Sequence, residues 1–262
     1  MAEIPLFFPT RKGEVAGIVS LPDDGEIATT AVLLLTGDAH ARTRVGVLRD
    51  VARDLAALGR PTLRFDYPGA GLSGSESPPP QQELAAVAID AAEWFLRETG
   101  CATLITAGHC LGARLALVVA AFNEEVIRAV AVGCPVKQRQ VSRSPVRTRL
   151  AAKPRMGPMM TGVLTRGSRS KETGTWAPRL LEHIAAASTR ADLGFIYGSE
   201  DDFYRDFVDL LEELEPAVRS KVSVSVREGV ALRALTELEH HPWVTAEIET
   251  LLGYPPNEPA DG

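Results

Sequence analysis

Residues 104–117 read LITAGHCLGARLAL, an apolar segment that changes within a few residues into a helix-forming one. Gly108 and Gly112 lie two residues before and two residues after Cys110 at this change. A strand, a G-x-C-x-G turn and a helix form a nucleophile turn, in which small neighbours allow a strained residue to expose its side chain. The segment therefore predicts a strand, a tight turn with Cys110 at its apex, and a helix.

This turn has the electrostatics that a nucleophilic thiol requires. The helix that follows directs its positive N-terminus at Cys110, which favours the thiolate over the thiol. The backbone N–H of Leu111, the next residue, faces the same space and is a candidate donor to an oxyanion. The alternative interpretation is a buried cysteine between glycines that serve only close packing.

Strands and helices alternate along most of the chain on both sides of this turn. Residues 29–37 are a continuous apolar segment without polar alternation, which is typical of a strand buried on both faces of a parallel sheet, and 192–198 is another predicted strand. Amphipathic helical segments such as 43–58 and 83–99 separate the strands. The pattern predicts an α/β fold with a mostly parallel central sheet and helices on both faces.

Residues 137–190 interrupt the alternation and differ in composition from the rest of the chain. They contain 12 Lys or Arg and 2 Glu, a formal charge of +10, whereas the remaining residues carry −16. We interpret 137–190 as a basic cap inserted after the sixth strand, 1–136 and 191–254 as the core, and 255–262 as a flexible tail. Such a cap can attract an anionic substrate or carrier. The alternative is that its charges pair with acids of the core or remain solvated.

Composition and charge exclude several classes of protein. The chain has 262 residues, a length that suits one large domain or a domain with an insertion, and its pI of about 5.5 offers no nucleic-acid footprint. No segment approaches the roughly 20 apolar residues of a membrane span, and the N-terminus lacks the pattern of a secretory signal. Cys101, Cys110 and Cys134 are too few for a disulfide framework and lack the spacing of a zinc site. We therefore predict no metal and a cytoplasmic location.

Taken together, these motifs resemble the α/β-hydrolase superfamily over nearly the whole chain, apart from residues 137–190. The cysteine is similar to that of dienelactone hydrolases and of members that process acyl thioesters. The resemblance implies an α/β-hydrolase fold in which the nucleophile, the acid and the histidine follow one another along the chain. The matching motifs, besides GHCLGA, are VLLLTGD (32–38), FDYPGAGLSG (65–74), IYGSEDD (196–202) and ELEHHPW (237–243).

The resemblance also implies which residues complete a catalytic triad. The acid is expected just after the strand GFIYG, where Asp201 fits the family pattern and Asp202 is the adjacent alternative. Either carboxylate can instead be part of an acidic turn that caps the next helix. The base is expected after the last strand, where His240 fits the family spacing and His241 is the alternative. His241 precedes a proline and can instead cap the terminal helix.

The second oxyanion donor is implied to be the backbone N–H of Asp38, in the loop after the first central strand. Thr36-Gly37 stands here where many family members have His-Gly. With the N–H of Leu111, this amide would complete the pair of donors.

A cysteine nucleophile predicts a thioester-linked acyl enzyme, which is more reactive toward amines, thiols and carbanions than an oxygen ester. Our main hypothesis is a Cys-His-Asp thioesterase or acyltransferase in a biosynthetic pathway, acting on an activated acyl thioester carried on coenzyme A or an acyl carrier protein. One alternative is a cysteine-dependent ester or lactone hydrolase of the dienelactone type. A second is a non-catalytic hydrolase-like protein that binds a ligand or carrier. No cofactor, nucleic acid or membrane partner is expected, and a homo-oligomer is compatible with the sequence.

Overall fold

The structure is a computed structural model. It describes residues 1–23, 28–36, 46–74, 81–138, 175–176, 179–232 and 241–251. The chain divides into two compact units, one formed by Met1–Val136 with Arg179–Gly262 and the other by Lys137–Pro178.

An eight-stranded sheet forms the centre of the larger unit. Its strands cross the sheet in the order β1-β2-β4-β3-β5-β6-β9-β10. The pairs β1/β2 and β2/β4 are antiparallel, and every other neighbouring pair is parallel. This arrangement confirms the predicted α/β fold with a mostly parallel sheet. The strands are β1 (Ala2–Thr10), β2 (Gly13–Leu21), β3 (Thr30–Leu35), β4 (Thr62–Phe65), β5 (Thr103–His109), β6 (Val126–Val132), β9 (Asp192–Gly198) and β10 (Val222–Arg227).

The smaller unit contributes two short described strands. They are β7 (Lys137–Gln138) and β8 (Thr175–Trp176), which pair antiparallel with each other. Residues 139–174, which hold most of the basic charge of the expected insertion, lie outside the described residues. The expected tail, 255–262, lies outside them as well.

Helices cover both faces of the large sheet. Helices α1 and α7 pack together on one face, where Ile105 and Ala107 of the central strand β5 join their apolar cluster. Helices α2, α3 and α4 pack on the other face, where the Thr106 hydroxyl donates to the Ala116 carbonyl of α3 at 3.1 Å. None of these described helices combines the length and apolar character needed to cross a membrane. The helices are α1 (Gly46–Ala57), α2 (Gln81–Thr99), α3 (Leu111–Phe122), α4 (Leu180–Ser188), α5 (Asp202–Glu213), α6 (Pro216–Arg219) and α7 (His241–Leu251).

Helix α4 changes the expected boundary of the insertion. It belongs to the larger unit and packs against α3, so the core resumes at Arg179 and not after residue 190. Leu180, Ile184 and Ala187 form its buried apolar stripe at the spacing of a helix. The expected boundary was placed at residue 190 because Arg179 and Arg190, near the two ends of this helix, give the segment the same basic charge as the insertion.

Candidate active site

Cys110 alone forms the turn between β5 and α3, because the strand ends at His109 and the helix begins at Leu111. Its backbone has φ 56° and ψ −119°, and it is one of two non-glycine residues with positive φ in the described ranges. Such a conformation costs about 1–3 kcal/mol and persists only where the surrounding structure enforces it. Cys110 therefore occupies the strained turn that the sequence predicts, and its nucleophilic role stays a prediction.

Both flanking glycines are required by close backbone packing. A Cβ added to Gly108 would lie 2.3 Å from the carbonyl oxygen of Gly112. A Cβ added to Gly112 would lie 2.1 Å from the carbonyl oxygen of Leu35, at the end of β3. Because these neighbours are backbone atoms, neither can rotate away. The two glycines thus bring the start of α3 against the carboxyl ends of β5 and β3.

The start of α3 places potential hydrogen-bond donors beside the thiol. Leu111 is the first residue of the helix, so its N–H has no acceptor within the helix. The Cys110 side chain is partly exposed, and its own N–H donates to the Val132 carbonyl at 2.9 Å. The backbone of Thr36 lies close to Gly112, and the Thr36 hydroxyl is buried without a hydrogen-bond partner in the described part of the chain. Asp38, the predicted second donor, lies outside the described residues.

Burial distinguishes the two candidate acids. Asp201 follows the end of β9 and is 4% exposed, whereas Asp202 is the first residue of α5 and is exposed. Asp201 accepts a hydrogen bond from the Gly198 N–H at 2.9 Å. It stands at the position before α5 but makes no capping hydrogen bond with its side chain. This geometry favours Asp201 over Asp202 as an acid that orients a catalytic base.

Cys110 and Asp201 lie at the same edge of the sheet, with one strand between theirs. Strand β6 separates β5 from β9, so the two turns are two strand spacings apart, roughly 10 Å. A gap of this size can hold one imidazole ring with a hydrogen bond at each side. Such a ring would belong to another segment of the chain. The loop after β10 is the nearest candidate, because β10 is the strand beside β9.

The loop after β10 contacts both turns. The Glu200 N–H donates to the Val230 carbonyl at 2.9 Å, which joins this loop to the Asp201 turn. Nε2 of His109, the neighbour of Cys110, lies 3.4 Å from the Leu232 carbonyl oxygen. Leu232 is the last described residue before the segment that contains His240, and His240 itself lies outside the described residues.

The other candidate base, His241, is the first residue of α7. Its backbone position at the start of the helix agrees with the predicted alternative of a helix-terminal residue. His240 lies outside the described residues, so the choice between the two histidines stays a prediction.

Cys134 is a second thiol near the first, although its surroundings differ. It is fully buried after β6, and its carbonyl accepts a hydrogen bond from the Tyr197 hydroxyl at 3.0 Å. Burial raises the pKa of the Cys134 thiol to about 12, an effect that Arg114 opposes and Cys110 reinforces. Cys134 is therefore a neutral thiol at physiological pH, within electrostatic range of Cys110.

We expect native protein treated with iodoacetamide at pH 7.5 to be alkylated at Cys110 and not at Cys134. A pKa of about 12 leaves Cys134 with about 3000-fold less thiolate than an ordinary cysteine of pKa near 8.5. Peptide mass mapping with and without denaturant measures the two sites separately. Labelling of Cys134 at the rate of Cys110 in native protein would contradict the described burial.

Arg114 was not singled out by the sequence motifs, although it lies four residues after Cys110. It is partly buried in the first turn of α3, and burial lowers the pKa of its guanidinium. The groups near enough to oppose that effect are the titratable thiols of Cys134 and Cys110. Arg114 also helps to lower the pKa of His183 on α4, after the larger effects of burial and Arg179. The i, i+4 spacing from the turn was the signal available in the sequence.

The sheet order, the strained turn after the central strand β5 and the acid after β9 define a protein of the α/β-hydrolase class. The model of the alpha/beta hydrolase family matches residues 32–259, most of the chain. The chain belongs to the alpha/beta hydrolase family.

Solved structures with the same fold are distant in sequence. An esterase from Pyrococcus furiosus aligns with a TM-score of 0.69 and 16% identity, covering 96% of this chain and 92% of that one. Proline iminopeptidase from Mycobacterium smegmatis aligns with a TM-score of 0.67 and 15% identity, covering 95% and 98%. A thioesterase domain from the curacin biosynthetic pathway aligns with a TM-score of 0.59 and 14% identity, covering 97% and 100%. No curated protein matches the sequence significantly. At these identities the similarity establishes the fold alone.

Proposed function

We propose that this alpha/beta hydrolase family member is a cysteine-dependent acyl-transfer enzyme, a thioesterase or acyltransferase that forms an acyl-Cys110 intermediate. The observation that carries the proposal is the strained backbone of Cys110 at the N-terminus of α3, where the turn exposes the thiol and the helix favours its anion. The esterase and the thioesterase domain of similar fold support a substrate with an acyl group.

The reaction begins with the attack of the Cys110 thiolate on the carbonyl carbon of the substrate. The resulting oxyanion accepts hydrogen bonds from the N–H groups of Leu111 and Asp38. His240, oriented by Asp201, takes the proton from the thiol and delivers it to the leaving thiolate or alkoxide. The carbonyl re-forms as a thioester on Cys110, and water or an acceptor then attacks it with His240 as the base.

The choice of sulfur favours acyl groups that are already activated. Exchange between a substrate thioester and a cysteine thioester is nearly balanced in free energy, so the acyl group can be passed on to water, a thiol or an amine. An amide is a poor substrate, because the tetrahedral intermediate expels the thiolate more readily than the amine. The +10 charge of residues 137–190 supports an anionic carrier, such as coenzyme A or an acidic acyl carrier protein.

The proposal is tested by intact mass measured after incubation with acyl-N-acetylcysteamine thioesters, acyl-coenzyme A and simple lactones. We expect thioesters to add the mass of one acyl group, located on Cys110 by peptide mapping. Adducts from lactones and never from thioesters would replace the proposal with a lactone or ester hydrolase of the dienelactone type. Absence of any adduct and of any turnover would favour a non-catalytic binding protein.

Asp201→Asn should lower kcat/KM for the reactive thioester by about 100- to 10,000-fold, because an amide no longer orients or stabilises the charged base. Asp202→Asn is the matched control, since the same change is made at the exposed neighbouring residue. We expect Asp202→Asn to stay within about twofold of the wild type. Thermal unfolding of both variants checks their folding. A larger loss in Asp202→Asn would assign the acid to Asp202.

A further inference from the structure

Arg114 has an unusual position for a cation. It lies four residues after Cys110, in the first turn of the helix that begins directly after the cysteine, so the two residues are neighbours at the start of α3. Its guanidinium is partly withdrawn from water, and the groups that interact with it electrostatically include both thiols of this region. The thiol and the cation thus share one environment.

Other arginines withdrawn from water have partners, which are carboxylates for two of them and the Trp243 ring, at 5.3 Å, for Arg227. The side chain of Arg64 is 7% exposed and pairs with Glu3, and that of Arg128 is 28% exposed and pairs with Asp192 at 3.3 Å. In the described part of the chain, Arg114 forms neither an ion pair nor a hydrogen bond through its side chain, and no carboxylate contributes to its electrostatics. A guanidinium that is partly desolvated without an anion is costly, and such a cost is typical of a site where a ligand supplies the missing partner.

We propose that Arg114 forms an anion subsite beside Cys110 and binds a carboxylate on the acyl group of the substrate. The subsite makes Arg114 a specificity-determining residue, and the preferred substrates are half-thioesters or half-esters of dicarboxylic acids. The planar guanidinium matches a carboxylate with two parallel hydrogen bonds. The substrate class rests on the acyl-transfer function proposed above.

The distance from the thiol places the anion on the acyl group and not on a carrier. A spacing of one helical turn between Cys110 and Arg114 suits about two to four carbons between the reacting carbonyl and the carboxylate. The phosphates of a coenzyme A or carrier-protein thioester lie a whole pantetheine arm away from that carbonyl. A cation so close to the nucleophile therefore binds a group on the acyl chain.

Two alkylating agents that differ by one charge test the subsite without relying on acyl transfer. Iodoacetate carries a carboxylate, and iodoacetamide carries an amide of similar size. The Cys110 thiolate displaces iodide from either reagent and gains a carboxymethyl or a carbamoylmethyl group. We expect the ratio of the iodoacetate rate to the iodoacetamide rate to be about tenfold higher for Cys110 than for N-acetylcysteinamide, a neutral small thiol. A ratio at or below that of the small thiol would overturn the subsite in the wild-type protein alone.

Variants distinguish the effect of the Arg114 guanidinium on the two alkylation rates from the effect of the positive N-terminus of α3. Arg114→Gln should remove most of the preference for iodoacetate, and Arg114→Lys should retain part of it. Arg219→Gln, which removes the same charge from an exposed residue of α6, should keep the wild-type ratio. If Arg114→Gln slows both reagents equally, Arg114 stabilises the thiolate and the subsite is refuted.

The acyl preference is then measured by intact mass with the N-acetylcysteamine half-thioester of glutaric acid and the same thioester capped as its methyl ester. We expect Cys110 to be acylated about tenfold faster by the free acid, with the preference lost in Arg114→Gln. Equal rates would overturn the dicarboxylic specificity. Failure of both thioesters, with the iodoacetate preference intact, would refute the proposed acyl transfer and leave the anion subsite supported.

Discussion

Cys110→Ala should abolish acyl loading and lower kcat/KM for the best thioester by at least about 10,000-fold. Removal of the nucleophile of a catalytic triad leaves only the contribution of the oxyanion donors and substrate binding. Intact mass after incubation with acyl-N-acetylcysteamine measures the loading, and release of the thiol measures turnover.

Folding of the variant is expected to be preserved, because the Cys110 side chain is partly exposed and alanine leaves the flanking glycines in place. Equal urea midpoints for wild type and Cys110→Ala would confirm that the loss is chemical. Cys110→Ser is the second variant, since it keeps a hydroxyl at the same strained position. We expect it to retain a slow oxygen-ester adduct, because an alcohol is far less ionised than a thiol at neutral pH. Unchanged loading in Cys110→Ala would place the nucleophile elsewhere.

Gly112→Ala should destabilise the protein by about 3 kcal/mol or more, a large stability effect for a single methyl group. The new Cβ would lie 2.1 Å from the Leu35 carbonyl oxygen, and both the helix start and the strand end would have to separate. Urea unfolding followed by circular dichroism measures the free energy of unfolding.

Gly74→Ala is the matched control for this methyl group. A Cβ at Gly74 meets no atom of the described residues within 4 Å, so the stability of Gly74→Ala should stay within about 0.5 kcal/mol of the wild type. The folded fraction of Gly112→Ala should also load acyl groups poorly, because movement of α3 displaces the Leu111 N–H from the reacting carbonyl. Stability equal to that of Gly74→Ala would show that the described packing at Gly112 is wrong.

Most of the fold could be predicted because its signals are local. Strands buried on both faces read as continuous apolar segments, and the turn around Cys110 requires small residues within a few positions of each other. The structure places the end of the insertion before Arg179 and not at the expected residue 190, and the reason for this difference is also local. Net charge was given more weight than the helical spacing of Leu180, Ile184 and Ala187.

The sequence by itself determined the α/β architecture and the position of Cys110 between a strand and a helix. Both follow from hydrophobic periodicity and from the steric limits of the turn, which depend on residues near one another along the chain. Only the tertiary structure showed that Asp201 is buried and Asp202 exposed, because adjacent acids share one local sequence and differ only in what packs over them. Within the described ranges, the absence of an acid beside Arg114 was decided in the same way. Whether a cation has an ionic partner depends on which distant segments fold against it, and residue spacing along the chain does not predict this.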